Sequence, residues 1–268
     1  MQVETNGTAL HAVVEGVEKG PWVVLAHGIA TDLHLWDGVA RVLAPHYRIL
    51  RYDTRGHGRS EAPPGPYDLD MLGRDAIGLM TALDIARAHF VGLSLGGMTG
   101  LGLALSHPER LLSLACCDAR ASAPAAYRDA WAERGAAVAA QGMEAMVEPS
   151  LSRWFARGFR EAQPDLAAQV AGMVRGTAPE GYRGCAAALQ GLDYGGQLGD
   201  IELPVLYLTG KEDQGAPPEV MRAMQHATPG ARYVEIPHAG HLSAIEQPEA
   251  VGAALHRFFS SLAAEPAR

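Results

Sequence analysis

The stretch Gly92-Leu93-Ser94-Leu95-Gly96-Gly97 constrains this chain more than any other. It follows an apolar, strand-like run, Ala88-His89-Phe90-Val91, and opens a helix-like run that reaches Ser106. A serine between two glycines at a strand-to-helix junction is the Gly-x-Ser-x-Gly nucleophile elbow in the setting that motif requires. The residue types follow from the geometry. Ser94 must take a strained backbone angle for its hydroxyl to stand clear of a sheet. Side chains two positions to either side would collide in so sharp a turn, so Gly92 and Gly96 have none. The helix that follows points its N-terminus at the hydroxyl and favours negative charge developing there.

The elements around the elbow read as an alternation of strands and helices. Thr8 to Val14 alternates as an early strand, and Trp22-Val23-Val24-Leu25-Ala26 is a continuous apolar run, as in a buried parallel strand. Tyr47 to Tyr52 is a further strand, stopped by Asp53-Thr54-Arg55-Gly56-His57-Gly58. Leu69, Leu72, Ala76, Leu79 and Leu83 carry helical spacing, and Leu111 to Cys117 reads as a strand. From about Ala121 to Gln197 the rhythm changes to an alanine-rich segment without strand pattern, which reads as a helical insert. Strands resume at Leu203–Leu208 and Ala231–Ile236, and a closing helix runs from about Pro248 to Leu262. The expectation is an α/β fold, a mostly parallel sheet with helices on both faces. Residues 1–120 and 198–268 would form the core, with 121–197 a helical cap inserted in it.

Ligands of such sheets bind at the carboxyl ends of the strands, where distant residues converge. A serine hydroxyl needs a base to take its proton. His241, in His238-Ala239-Gly240-His241, lies just past the last strand, and Asp213, in Gly210-Lys211-Glu212-Asp213, lies past the one before it. The expected roles are Ser94 as nucleophile, His241 as base and Asp213 as the acid that orients the imidazole. Gly240 supplies a turn directly before His241, which favours it over His238. Glu212 and Asp118, at the end of another strand, remain alternatives for the acid. The backbone N–H groups of Leu95 and Ile29 would form the oxyanion hole. His27 and His57, each in a His-Gly turn, are expected to order loops. Asp53 and Arg55 are expected to pair with each other beneath the site. Arg153, Arg157 and Arg160 are helically spaced and read as a solvated face.

Composition excludes several classes. The 268 residues suffice for one sizeable core. A formal charge of -8 without a basic run argues against a nucleic-acid partner. The cysteines are Cys116, Cys117 and Cys185, an odd count without framework spacing, which fits a reducing cytoplasm. The first residues lack a basic start and an apolar stretch, so no secretory leader is expected, and no apolar run is long enough to span a membrane. No metal or cofactor motif is present.

The order Ser, Asp, His is that of the α/β hydrolases. Over essentially its whole length the chain resembles that superfamily, and within it the 3-oxoadipate enol-lactonase family. The resemblance is densest at Arg51–Gly58, Pro63-Pro64-Gly65-Pro66-Tyr67, Gly73-Arg74-Asp75, Ala88-His89-Phe90 and Gly92–Met98. It continues at Thr31–Asp37, Arg153-Trp154-Phe155, Glu180-Gly181-Tyr182, His241-Leu242-Ser243 and Glu246–Glu249. It implies an α/β-hydrolase fold with a helical cap and a cofactor-free enzyme that opens an enol-lactone. Two stretches depart from the family. His27-Gly28-Ile29-Ala30 stands where the family usually has an Asn-Ser-Leu-Gly-like turn, and Gln190-Gly191-Leu192-Asp193 where it tends toward Arg-Asp-Ala-Asp. The second removes an arginine that could partner a substrate carboxylate. From Arg120 to Arg183, however, eight arginines stand against seven carboxylates, so this part is basic in an acidic chain. The expected substrate is a small ester or lactone. Trp131, Met146 and Trp154 are expected to line an apolar acyl site, which also suits a general carboxylesterase with perhydrolase side activity. A third reading is a small-molecule receptor that keeps the three residues but turns over slowly.

Overall fold

A computed structural model of the chain describes residues 1–264. It opens with a hairpin that the alternation at Thr8 only half reveals: β1 (Gln2–Thr5) pairs antiparallel with β2 (Thr8–Gly16). The turn between them is Asn6-Gly7, both at positive φ (45° and 74°). Asn-Gly is the residue pair that the tight hairpin turn selects, so this strand had a sequence signal. Next come β3 (Trp22–Ala26), α1 (Asp37–Leu43), β4 (Arg48–Tyr52), α2 (Leu69–Ala82), β5 (Ala88–Leu93), α3 (Leu95–Ser106) and β6 (Leu111–Cys117). Five helices follow: α4 (Ala125–Gln141), α5 (Glu144–Trp154), α6 (Phe159–Ala162), α7 (Pro164–Gly176) and α8 (Pro179–Gln190). The chain returns to the sheet with β7 (Val205–Gly210), α9 (Pro218–Ala227) and β8 (Arg232–Ile236), and closes with α10 (Ser243–Glu246) and α11 (Pro248–Ala264).

The eight strands form one sheet in the order β1-β2-β4-β3-β5-β6-β7-β8. Pairings that involve β2 are antiparallel and the others parallel. The apolar runs read from the sequence become the central strands, and β5 and β7 are buried along their whole length. Helices on both faces explain runs without alternation. The chain steps from β3 to β4 in one direction, then from β5 through β8 in the other. Right-handed crossovers stepping in opposite directions place their helices on opposite faces. Accordingly α1 packs with α11, and α2 packs with α3. The reversal lies between β3 and β5, and a crevice opens there at the carboxyl ends of the strands. No helix among the described residues is long and apolar enough to cross a membrane.

The elbow sits beside that crevice. Ser94 has φ 53° and ψ -113°, a left-handed backbone that costs a non-glycine residue conformational energy. A Cβ on Gly96 would lie 2.2 Å from the Ala26 carbonyl oxygen of β3, and one on Gly92 would lie 2.1 Å from the Gly96 carbonyl. The two glycines therefore let α3 press against the sheet directly after the turn. Gly172, inside α7, has open space where its Cβ would be. The same substitution should then act in opposite senses. Gly96→Ala should destabilise the fold by about 1–3 kcal/mol, because a main chain must move. Gly172→Ala should stabilise it by about 0.5–1 kcal/mol, through helix propensity alone. Urea unfolding of the two variants checks both signs.

Candidate active site

Three loops, each at the end of a parallel strand, converge on the crevice. Ser94 follows β5, Asp213 follows β7 and His241 follows β8. His241 Nε2 lies 3.1 Å from Ser94 Oγ, and its Nδ1 lies 3.0 and 2.9 Å from the two carboxylate oxygens of Asp213. Asp213 Oδ1 also accepts the N–H groups of Gly215 (2.7 Å) and Ala216 (3.1 Å). Burial on its own would raise this carboxyl group, but the imidazole and the two N–H groups outweigh it and hold Asp213 below its usual range. It is therefore ionised, and it fixes the proton of His241 on Nδ1. Nε2 is left free to accept from the serine.

The alternatives considered from sequence lie elsewhere. Asp118 is fully buried, accepts from Gly210 N (2.7 Å) and from the Ser243 hydroxyl, and does not reach His241. Burial and the nearby Asp213 charge push its carboxyl group well above the usual range. The two acids thus divide, Asp213 shifted down and bonded to the imidazole, Asp118 shifted up and bonded to Gly210 N and Ser243. Glu212 is exposed and accepts from the Arg157 N–H (3.2 Å), and His238 is exposed, with φ 55°.

Beneath the site, His27 Nδ1 donates to the Gly28 carbonyl (2.7 Å), so its Nε2 accepts from Thr54 N (2.9 Å). His57 Nδ1 bonds the Arg55 carbonyl (3.1 Å), and burial pushes this imidazole down to about 3. Both order loops, as expected. The expected Asp53–Arg55 pair is not formed. Arg55 instead forks onto Asp75 of α2, with Nε and Nη2 at 2.6 and 2.5 Å from its oxygens. Asp53 accepts from Leu33 N (2.8 Å) and Arg59 N (2.9 Å) and meets His11 Nδ1 at 2.9 Å. A partner so far along the chain leaves no local spacing to read.

Above Ser94 lies a cavity of about 330 Å³. Ile29, Met98, Trp131 and Trp154 supply apolar wall, and Tyr127 adds an aromatic edge. Ile29 thus stands where the oxyanion hole is expected. Leu95 opens α3 directly after the serine, so its N–H belongs to the first turn, which lacks intrahelical acceptors. Met146 does not line this cavity. It is buried in the helical segment, with the Tyr182 hydroxyl 3.5 Å from its sulfur.

The same cavity holds three arginines, Arg120, Arg134 and Arg153. The solvated-face reading holds for exposed Arg157 and for Arg160, which pairs with Glu148 (2.7 Å), but fails for Arg153. Arg153 precedes Trp154 at the end of α5 and turns inward with it. Burial and the neighbouring Arg134 guanidinium both depress it, the sign of like charges held together. Arg134 lies over the Trp131 ring, 4.5 Å from its centroid, and Arg120 lies over Tyr127 at 4.6 Å. Among the described residues, none of the three forms an ion pair with a carboxylate, and Arg120 Nε is buried without a partner. A larger cleft, of about 760 Å³, adjoins between Leu192, Leu198 and α9, and shares Arg120 and Pro124 with the cavity over Ser94. The chemistry stands at the smaller of the two. No cluster of metal-ligating side chains occurs among the described residues.

Residues 21–248 match the α/β-hydrolase fold family. The chain belongs to that family. It is 33% identical to 3-oxoadipate enol-lactonase 2 of Acinetobacter baylyi, over 93% of this chain and 94% of that one. The crystal structure of the enol-lactonase of Burkholderia xenovorans superposes with a TM-score of 0.94 at 37% identity, covering 97% of this chain and all of that one. A malate-bound thermophilic esterase of Thermogutta terrifontis superposes at 0.93 with 27% identity, covering 98% and 99% of the two chains. This α/β hydrolase is thus an enzyme of the lactone- or ester-cleaving type.

The division between the two acids is open to test. Asp213→Asn leaves an amide that cannot hold the imidazole in the required tautomer, and kcat toward a 4-nitrophenyl ester should fall by about 10³–10⁴-fold. Asp118→Asn alters a group that does not touch the imidazole, and kcat should stay within about tenfold of wild type. Steady-state hydrolysis by the two purified variants checks the contrast. Comparable losses in both would put Asp118 into the reacting group.

Proposed function

We propose that the chain is a serine hydrolase for esters or lactones that carry a carboxylate, with an enol-lactone as favoured substrate. The observation that carries this reading is that Arg134 and Arg153, in no ion pair with a carboxylate among the described residues, line the same small cavity as Ser94. Both arginines are half-buried, and a partly desolvated guanidinium without a carboxylate is costly unless a ligand supplies the anion. Two of them together favour an anionic ligand more strongly. These arginines answer the departure at Gln190–Asp193, because the cap offers a carboxylate partner from other helices.

In the proposed reaction the substrate carboxylate faces the arginines and the scissile carbonyl lies over Ser94. Ser94 Oγ attacks the carbonyl carbon while His241 Nε2 takes its proton. Asp213 stabilises the imidazolium that forms. The oxyanion of the tetrahedral intermediate is received by the N–H groups of Ile29 and Leu95 at the N-terminus of α3. Collapse expels the ring oxygen, which receives the proton from His241 and stays tethered to the acyl-enzyme. An enol released in this way tautomerises to the ketone, and this removes the nucleophile that would close the ring again. Water, deprotonated by His241, then frees the acid. The similarity to the two enol-lactonases supports this substrate class. A second reading, a carboxylesterase, draws on the Thermogutta esterase and on the apolar wall of Trp131 and Trp154. Malate bound to that esterase shows a small carboxylic acid held by a protein of this shape.

Purified enzyme should hydrolyse 3-oxoadipate enol-lactone with a kcat/KM well above that for 4-nitrophenyl acetate, and Ser94→Ala should abolish both. Mono-4-nitrophenyl adipate should be preferred over the matched neutral ester, 4-nitrophenyl hexanoate. Arg134→Gln or Arg153→Gln should lower that preference by about 10–100-fold, the worth of a charge-assisted hydrogen bond. Good hexanoate turnover with no preference for the adipate would leave the esterase reading standing and remove the anionic one.

A further inference from the structure

The cap meets the histidine loop through main-chain groups and one buried carboxylate. His241 N donates to the Trp154 carbonyl at 2.7 Å. Glu246, at the end of α10, is 7% exposed, and its two oxygens each accept one backbone N–H. Oε1 takes Gly240 N at 2.8 Å, beside the catalytic histidine, and Oε2 takes Ala156 N at 2.8 Å, just after α5. The approach between the two segments is close. A Cβ on Gly240 would lie 2.5 Å from the Trp154 carbonyl oxygen. The Trp154 ring lies near-parallel to that of His241, with centroids 6.5 Å apart. No lysine or arginine neutralises Glu246 among its hydrogen-bond partners, so its two bonds are all to main chain.

We propose that Glu246 is a positioning residue whose carboxylate clamps the end of α5 onto the histidine loop, holding Arg153 and Trp154 in register over Ser94. The proposal rests on the reading of Arg153 as an anion-binding residue for its effect on substrate choice. The clamp itself rests on geometry alone. A carboxylate suits the place because it accepts from two N–H groups at once. A glutamine has one acceptor and would turn an NH₂ toward the other donor.

The clamp responds to pH. Burial pushes the Glu246 carboxyl group up to about 7, against the pull of the Ala156 and Gly240 N–H groups. Glu212 and Asp213, which face it from the β7 loop, add to the rise, and Asp118 at the end of β6 also faces it. On its own loop, His241 is engaged by Asp213. The two N–H bonds favour the ionised form, so they weaken as pH falls through about 7 and strengthen above it.

The test is the ratio of kcat/KM for mono-4-nitrophenyl adipate over 4-nitrophenyl hexanoate. Both esters use Ser94 and His241, so any effect of pH on the acyl-transfer step they share cancels in the ratio. In wild type the ratio should fall at least about fivefold from pH 8 to pH 6, equivalent to about 1 kcal/mol. In Glu246→Gln it should be low and flat across that range, with Tm near the wild-type value. A preference for the adipate at pH 8 that is flat with pH and unchanged in Glu246→Gln would overturn the clamp and leave the anionic reading intact. No preference at pH 8 in wild type would instead overturn the anionic reading. Hydrogen exchange then decides the clamp by itself. The backbone around Ala156 should lose protection at least about tenfold in Glu246→Gln at pH 8, and unchanged protection there would overturn the proposal.

Discussion

The contact on which the site depends is the one between α3 and β3, where Gly96 meets the Ala26 carbonyl oxygen with no room for a Cβ. That closeness forces the chain to turn within a single residue, and Ser94 takes the left-handed angle that results. The strain is local and the surroundings over-determine it. Ser94 N is held by the Cys117 carbonyl at 2.9 Å, and its own carbonyl accepts from Met98 N at 2.9 Å, in the first turn of α3. A hydroxyl raised in this way stands at the N-terminus of a buried helix, where the backbone dipoles are already oriented. Such an environment needs no reorganisation as charge develops, which is why it lowers a barrier.

The rest of the site is arranged around that fixed point by main-chain bonds rather than by side-chain packing. The β7 loop is closed on Asp213 through Gly215 and Ala216, and it is tied to the β8 loop by Glu212 N and the Ala239 carbonyl, 2.8 Å apart. The β8 loop is tied to the cap by His241 N and Trp154 O. Acid, base and cap are thereby one hydrogen-bonded series. A shift in the cap is felt at the imidazole, and reacting atoms misplaced by about an ångström cost rate steeply. This is the physical sense in which helices far from the sheet belong to the chemistry.

How much of this was legible in the sequence depended on the range of the interaction. Ser94, Asp213 and His241 could be read because each lies just past a strand, and the sheet alone brings strand ends together. The central strands could be read because burial on both faces leaves them uniformly apolar. Helices α1 and α9 and strand β1 escaped, although Asn6-Gly7 marked the last of these. Arg55 was matched to the nearest acid in sequence, whereas Asp75 reaches it from a helix that folds back over the loop. Arg153 was misread for a related reason. Helical spacing shows that Arg153, Arg157 and Arg160 could share a surface, but not what that surface faces. The chain leaves helical geometry at Phe155, so the three do not lie on one helix at all. The adjacent Trp154 was the signal that this turn points inward.

Charge around Ser94 is divided by depth. Below it, the imidazole and two N–H groups hold Asp213 below its usual range, while burial and the Asp213 charge push Asp118 above its own. Above it, Arg134 lies over the Trp131 ring and Arg153 lines the same cavity, neither in an ion pair with a carboxylate among the described residues. If those acids had evolved as partners for the arginines, the cavity would be neutral and indifferent to the sign of its ligand. Kept apart, the acid serves the imidazole and the guanidinium groups are left for what enters. On the proposed reading, an ester with a distant carboxylate has one favoured orientation in this field, with its charge toward Arg134 and Arg153 and its carbonyl toward α3. Orientation set by charge acts before any covalent step, and under that reading it would discriminate among substrates that Ser94, His241 and Asp213 alone would treat alike.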